Sequence, residues 1–277
     1  MIRRPAVAGA FYPANREKLV EEIERSFIKG FGRIPEVKKG MGKIKGIVVP
    51  HAGYIYSGYV AAMAYGEMAE AGFAEKFIII GPNHTGYGSP VALMSHGEWE
   101  TPLGRVKISE DAKKLVGGII DDDELAHRYE HSIEVQLPFL QYLGSFEFIP
   151  VCLAMQDYET SIEVGEILAE AEDAIIIAST DFSHVSFSKF PSEEDIERNV
   201  RERDKMAIEK ILALDEKGLI EVVEEENITM CGYGGVAAML YAAKKRGAKK
   251  ARLLKYATSY DVEPGTYCVG YAAIVVE

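Results

Sequence analysis

Three of the six histidines in this 277-residue chain closely follow short apolar runs that predict buried strands. They are His51 after the run 47–49, His84 after the run 77–80, and His184 after the run 174–178. In open α/β sheets, ligands bind in the crevice beyond the carboxyl ends of the strands. Imidazoles that converge at such an edge bind a metal ion or transfer a proton. The sequence therefore predicts chemistry of one of these two kinds.

The residues around His51 and His84 are small and polar. In the segment 50–58, glycines allow the backbone to approach a ligand closely, and two tyrosines offer hydroxyl donors. His84 ends the Gly-Pro-Asn turn 81–83, and loops at strand ends commonly carry active-site groups. The structural alternatives are a strand-end histidine bonded to the backbone for His51 and an ordinary turn for His84.

Asp181 and His184 lie three residues apart in a polar run that follows a predicted strand. A carboxylate beside an imidazole orients the ring and stabilises its protonated form. The pair therefore predicts a proton-transfer group, His184, that is oriented by Asp181. The alternative is an Asx turn closed by local hydrogen bonds.

His131 stands immediately before Ser132, which we expect to cap a helix that runs to Tyr142. An imidazolium is disfavoured at the positive end of a helix dipole, so His131 would be neutral there. A neutral His131 would donate a hydrogen bond to a substrate oxygen. The alternative is a surface helix start with incidental polar groups.

Cys231 precedes a glycine-rich segment, 232–235, and a predicted helix. A helix N-terminus lowers the pKa of a nearby thiol, and a thiolate binds soft and borderline metals. The glycines match neither a dinucleotide-binding pattern nor a P-loop. Cys152 and Cys268 lie within apolar strand-like runs, which predicts core positions for both.

Strand-like and helix-like segments alternate along the chain, as in a layered α/β fold. The continuous Ile/Val runs indicate strands that are buried on both faces. We therefore predict a central, mixed and mostly parallel sheet with helices on both faces, in one domain spanning residues 1–277. The main predicted strands are 44–49, 76–80, 146–153, 174–178, 252–258 and 267–276, and the main predicted helices are 16–28, 60–71, 161–171, 192–214 and 234–246.

The composition restricts the class of protein. The formal net charge of -12 argues against a nucleic-acid-binding surface and, more weakly, against binding to anionic membranes. No run approaches the roughly 18 apolar residues of a membrane-spanning helix, and the N-terminus lacks the apolar core of a signal peptide. Three widely spaced cysteines form neither a disulfide framework nor a zinc ribbon. We expect a cytoplasmic protein with reduced cysteines.

Seven segments in a fixed order resemble the Memo family, which occurs in archaea, bacteria and eukaryotes. They are RRPAVAGAFYP (3–13), PHAGYIYSG (50–58), GPNH (81–84), TPLG (101–104), EHSIEVQLPFLQYL (130–143), STDFSH (179–184) and CGYGG (231–235). The resemblance covers nearly the whole chain. It implies one α/β domain similar to the LigB-type (class III) extradiol dioxygenases, in which two histidines and a glutamate hold a non-haem Fe(II).

The resemblance also implies roles for individual residues. His51 and His84 match the two metal-site histidines of the family, and Cys231 matches the cysteine that stands where the dioxygenases use glutamate. Other pocket residues of the family are matched in this chain by Asp181, His184 and His131. Because a thiolate is softer and more oxidisable than a carboxylate, the cysteine argues against ring-cleaving chemistry.

Three functions follow as hypotheses. In the first, His51, His84 and Cys231 hold one iron (Fe²⁺) or copper ion in a metal-dependent redox protein; His184 transfers protons and His131 contacts a bound oxygen or substrate. In the second, the same three ligands hold zinc in a hydrolase. In the third, the pocket binds a small molecule or a peptide without catalysis. No hypothesis includes a nucleic acid or a membrane as partner.

Overall fold

The computed structural model describes residues 1–186 and 192–277. The strands are β1 Ile2–Arg3, β2 Gly46–Val49, β3 Lys76–Pro82, β4 Val91–Leu93, β5 Glu98–Thr101, β6 Gly104–Lys107, β7 Asp121–Asp122, β8 Glu147–Leu153, β9 Ile175–Ser179, β10 His184–Ser186, β11 Ala251–Thr258 and β12 Tyr267–Val276. The α-helices are α1 Arg16–Gly30, α2 Tyr54–Ala71, α3 Ala112–Leu115, α4 Leu137–Leu143, α5 Tyr158–Ala169, α6 Glu193–Leu212, α7 Glu216–Glu225 and α8 Tyr233–Lys245. Short 3-10 helices cover Leu125–His127, Glu134–Gln136 and Ser259–Asp261.

The larger sheet has four parallel strands at its centre, in the order β2, β9, β3, β8. β12 joins β2 in the antiparallel direction, and β10 and β11 both pair antiparallel with β12. On the other side, β4 joins β8 antiparallel and pairs with β7. Nearly all residues of the four central strands are buried, because helices cover both faces of the sheet.

The crossover connections explain why helices lie on both faces. β2 connects to β3 through α2, whereas β8 connects to β9 through α5 in the opposite direction along the sheet. Because such crossovers are right-handed, the two helices lie on opposite faces. α1 and α4 contact α2, while α8 contacts α5 and the strands β9, β3 and β2. The predicted α/β fold, a mixed sheet between helical layers, is confirmed.

The carboxyl ends of β2, β9 and β3 lie side by side at one edge of the sheet. Val49 pairs with Ser179, and Ile80 pairs with Ala178. Neighbouring strands are about 4.8 Å apart, so the loops that follow these strands begin close together. This edge positions the candidate site.

The N-terminal segment is attached to the body of the protein through a buried ion pair. β1, β5 and β6 form a small second sheet, in which the guanidinium of Arg3 lies 4.3 Å from the ring centroid of Trp99. Arg3 pairs with the fully buried carboxylate of Glu134. The same carboxylate accepts a hydrogen bond from the backbone N–H of Ala6 over 2.7 Å and from the hydroxyl of Tyr12 over 2.5 Å. The N-terminal strand is therefore tied to the segment that contains His131.

Two of the differences between predicted and observed helix starts lie close to the candidate site. α2 already starts at Tyr54, whose backbone N–H donates to the carbonyl of Phe11 over 2.8 Å. The helix predicted to start at Ser132 begins instead as the 3-10 helix Glu134–Gln136. The hydroxyl of Ser132 does not cap this helix because it donates to the carbonyl of Pro82 over 2.9 Å. Ser132 therefore joins the end of β3 to the segment that contains His131.

Candidate metal centre

The three predicted metal ligands meet at the carboxyl edge of the sheet. His51 follows β2, His84 follows β3, and Cys231 lies just before α8. The Sγ of Cys231 lies 3.2 Å from Nε2 of His51, and the ring centroids of His51 and His84 are 5.2 Å apart. One ligand atom from each of the three residues lies within 4.8 Å of the other two. The three side chains can therefore reach a single ion.

His51 is held by contacts to the strand end of β9. Its backbone N–H donates to Oδ1 of Asp181 over 2.8 Å, and its ring Nδ1 lies 2.9 Å from Oγ of Ser179. Only 2% of the residue is exposed. Loss of hydration lowers the pKa of His51 well below its ordinary value, and the neighbouring His131 and His84 lower it further. The ring is therefore neutral, which is the form that binds metals.

Glu130 holds His84, although the sequence patterns assigned no role to this glutamate. Its Oε1 lies 2.9 Å from Nδ1 of His84, and its Oε2 accepts from the backbone N–H of His84 over 2.5 Å. Oε1 also accepts from the backbone N–H groups of His131 and Ser132, over 2.8 and 2.9 Å. Burial alone would raise the pKa of Glu130, but the hydrogen bonds and charges around it lower the pKa to about 2. The buried carboxylate is therefore ionised.

His131 completes a group of three imidazoles. Its ring stacks on His84, with centroids 4.7 Å apart and an interplanar angle of 27°, and meets the ring of His51 at 5.4 Å. Burial lowers the pKa of His131, against the raising effect of Glu130. The ring is therefore neutral, but the cause is lost hydration and not a helix dipole, because α4 begins only several residues later.

Asp181 links the segment of His51 to Cys231. Its buried carboxylate accepts from the backbone N–H groups of His51 and Ala52, over 2.8 and 3.3 Å. Its own backbone N–H donates to Sγ of Cys231 over 3.2 Å. Loss of hydration raises the pKa of Asp181, against the lowering effect of His184 and of the two N–H groups. Asp181 thus shapes the backbone around two of the three candidate ligands.

His184 lies at the rim of the site, at the start of β10. Its backbone N–H donates to Oγ1 of Thr229 over 2.6 Å, and its ring Nδ1 donates to the Thr229 carbonyl over 3.1 Å. Thr229 therefore orients this ring. Asp181 was predicted to do so, but its carboxylate accepts hydrogen bonds from the segment of His51 instead. A cavity of about 550 Å³ opens beside His184 and is also lined by Tyr267 and Arg203. Proton transfer by His184 stays a prediction.

The pKa predicted for Cys231 is wrong in direction. Loss of hydration raises the pKa of its thiol, and the charge of Asp181 raises it further. The N-terminus of α8, which begins at Tyr233, does not outweigh this loss of hydration. Cys152 and Cys268 are buried in the core, as predicted.

Comparison with known proteins decides the family. The family model described as Memo-like protein matches residues 3–275. The chain belongs to the Memo family. MEMO1 family proteins of Methanopyrus kandleri and Methanosarcina acetivorans are 50% and 46% identical to it, over 289 and 285 residues. These matches cover 99% and 100% of this chain and 99% of each relative, so the family predicted from seven segments is confirmed.

Among solved structures, the crystal structure of the uncharacterized protein JW3007 from Escherichia coli K12 matches 84% of this chain and 100% of that chain. The two sequences are 12% identical, and the TM-score is 0.47. A likeness at this level does not establish a shared fold, so the similarity of this Memo-family chain to extradiol dioxygenases stays a prediction.

Within residues 1–186 and 192–277, every helix is too short or too polar to cross a membrane.

Proposed function

We propose that this Memo-family protein binds one redox-active metal ion, iron or copper, and uses it in a metal-dependent redox reaction. The ligands are His51, His84 and Cys231. The observation that supports the proposal is that two imidazoles and one thiol meet within 4.8 Å at the carboxyl edge of the sheet. Nitrogen and sulfur ligands suit iron, copper and zinc, whereas magnesium and calcium take oxygen ligands.

The spacing of the donor atoms fits such an ion. Bonds of about 2.0–2.1 Å to nitrogen and about 2.3 Å to sulfur place tetrahedral ligand atoms about 3.5 Å apart. The Sγ of Cys231 and Nε2 of His51 are 3.2 Å apart. Three protein ligands leave at least one position for a substrate, and the bound ion would supply Lewis-acid or electron-transfer chemistry there.

The neighbouring residues would bind the substrate and move protons. His131 is neutral and stacked on His84, so it would donate a hydrogen bond to a substrate oxygen. His184 is held through its Nδ1 by Thr229, which leaves Nε2 to give or take a proton. The substrate in this proposal is a small molecule.

Metal analysis of the anaerobically purified protein tests the proposal. After loading with Fe²⁺ or Cu⁺, we expect about one ion per chain in the wild type and none in the His51→Ala/Cys231→Ala variant. Cys268→Ala, which removes a thiol outside the centre, serves as the control and should keep the ion. A wild type that takes up no ion, or a double variant with unchanged occupancy, would overturn the proposal.

A zinc-dependent hydrolase is the second candidate, because two histidines and one cysteine with an open position also make a catalytic zinc site. In that case His184 would act as the base toward water. The two candidates differ in their response to oxygen and reductant. Zinc at one ion per chain, with ester hydrolysis that is insensitive to both, would favour the hydrolase over the redox protein.

A further inference from the structure

We infer that buried hydrogen-bond partners fix both ligand histidines as the tautomer with hydrogen on Nδ1, so that Nε2 of each ring carries the lone pair for the metal. Glu130 does this for His84, and Ser179, backed by Gln136, does it for His51. These three are positioning residues. The role of the lone pairs depends on the proposed function, but the tautomers themselves are a property of the metal-free protein.

The tautomer of His51 follows from two neighbouring side chains, and the first of these is the amide of Gln136. Its Nε2 lies 3.0 Å from the carbonyl oxygen of Pro50 and 2.8 Å from Oγ of Ser179. Since a carbonyl oxygen only accepts, the atom that faces Pro50 must be the amide nitrogen. The hydroxyl of Tyr65 donates to the other side-chain atom, Oε1, over 2.8 Å, which agrees with this orientation. Ser179 therefore accepts a hydrogen bond from Gln136.

The second side chain that determines the tautomer of His51 is Ser179, through the position of its hydroxyl proton. Its Oγ lies 2.6 Å from the carbonyl oxygen of Ser132, to which it can only donate. With that proton committed, Oγ can only accept from the Nδ1 of His51, 2.9 Å away. The hydrogen of His51 is therefore on Nδ1. Its Nε2, the atom 3.2 Å from Sγ of Cys231, carries the lone pair.

Glu130 determines the tautomer of His84 in a single step. Oε1 of Glu130 accepts from the backbone N–H groups of His131 and Ser132, which can only donate, so this oxygen faces hydrogens and carries none itself. Nδ1 of His84, 2.9 Å from Oε1, must therefore be the donor. The lone pair of His84 is therefore also on Nε2. A carboxylate in this position orients a metal-binding imidazole and makes it a stronger ligand, and removing such a partner typically weakens metal binding about 10–100-fold.

A second metal ion at Glu130 is the rival explanation. Donor atoms of His84, Glu130 and His131 also lie within 4.8 Å of one another. However, Oε1 of Glu130 already accepts from the ring of His84 and from the backbone N–H groups of His131 and Ser132. Three donors saturate the two lone pairs of Oε1, and Oε2 accepts from the backbone N–H of His84, which favours the positioning role.

Nitrogen NMR of the histidine rings in the metal-free protein tests the tautomers directly, because protonated and unprotonated ring nitrogens have well-separated shifts. We expect His51 and His84 of the wild type to carry hydrogen on Nδ1. Ser179→Ala should change the ring signals of His51 and leave those of His84 unchanged. A neutral ring with hydrogen on Nε2 and none on Nδ1, in either histidine of the wild type, would overturn the inference, and this result does not depend on whether any metal binds.

Titration with Co²⁺ provides the second measurement. We expect one Co²⁺ per chain with a sulfur-to-cobalt charge-transfer band, and about 10–100-fold weaker binding in Ser179→Ala and Glu130→Gln with the band retained. The matched control is Glu24→Gln on α1, which alters a carboxylate that accepts from the hydroxyl of Tyr142 on α4, and it should bind like the wild type. Two Co²⁺ per chain, reduced to one in Glu130→Gln, would overturn the positioning role. A wild type that binds no Co²⁺ would count against the proposed function and leave the tautomers standing.

Discussion

Asp204 is a buried carboxyl group whose own contribution to the stability of the folded protein should be larger in acid than at neutral pH. It lies on α6 and is fully buried. Its oxygens accept from the backbone N–H of Ser183 over 2.8 Å and from the hydroxyl of Tyr256 over 2.7 Å. Loss of hydration raises the pKa of Asp204 from 3.8 to about 6, against the lowering effect of these hydrogen bonds. The folded protein therefore binds this proton more tightly than the unfolded chain does.

The size of the effect follows from the two pKa values. Since a tenfold difference in proton affinity corresponds to about 1.4 kcal/mol, a pKa raised from 3.8 to about 6 is worth about 3 kcal/mol. This stabilisation is fully present below the unfolded pKa and is lost as the pH rises through the folded pKa. Asp204→Asn keeps an acceptor for Ser183 and a donor toward Tyr256 but carries no ionisable group. Because pH 4 lies just above the unfolded pKa, the free energy of unfolding of the variant should rise by about 2.4 kcal/mol relative to that of the wild type between pH 4 and pH 7.

Urea unfolding of the metal-free protein across this pH range gives the free energy of unfolding of both proteins. Asp195→Asn, on the same helix, is the control. Hydrogen bonds from Ser192 and Arg198 lower the pKa of the half-buried Asp195, so the wild type should become more stable relative to this variant as the pH rises. If the difference between wild type and Asp204→Asn stays constant to within about 1 kcal/mol across the range, the buried carboxyl group does not titrate as described.

Three further predictions concern the buried ion pair, a close backbone contact and the metal. Glu134→Leu leaves the guanidinium of Arg3 buried without its partner, so urea unfolding should show a loss of about 3–5 kcal/mol, which Arg3→Met in the same chain partly restores. Gly270→Ala places a methyl group against the carboxylate of Asp204, and the overpacking should cost about 1–3 kcal/mol in thermal unfolding; an unchanged midpoint would contradict the close approach. Fe²⁺ at about 100 times its Kd should stabilise the protein by about 2.7 kcal/mol, reversibly on chelation and not in Cys231→Ala.

The meeting of His51 and His84 can be predicted from local sequence. Each residue stands just beyond an apolar run, and parallel strands of one sheet end at a common edge. Cys231 is different because 180 residues separate it from His51. No periodicity connects the two positions, so only the resemblance to a family adds the cysteine to the predicted ligand set.

The partners of the histidines could not be predicted in this way. Glu130 bonds to a ring 46 residues away, and Thr229 bonds to a ring 45 residues away. A local pattern shows which residues are polar but not which polar groups face each other after folding. The prediction for the pKa of Cys231 is wrong for the same reason, because lost hydration depends on the packing around the sulfur and not on its place before a helix.

The span of 180 residues between His51 and Cys231 has a consequence for folding kinetics. In a zinc finger, ligands close together in the chain let the ion direct folding from an unfolded state. Here we expect the three ligands to come together only after β2, β3 and β9 have formed their register. Closing such long loops is slow and occurs late, so an ion bound at this centre would add little to the folding rate. It would instead slow unfolding, because the interactions that it makes are absent from the transition state.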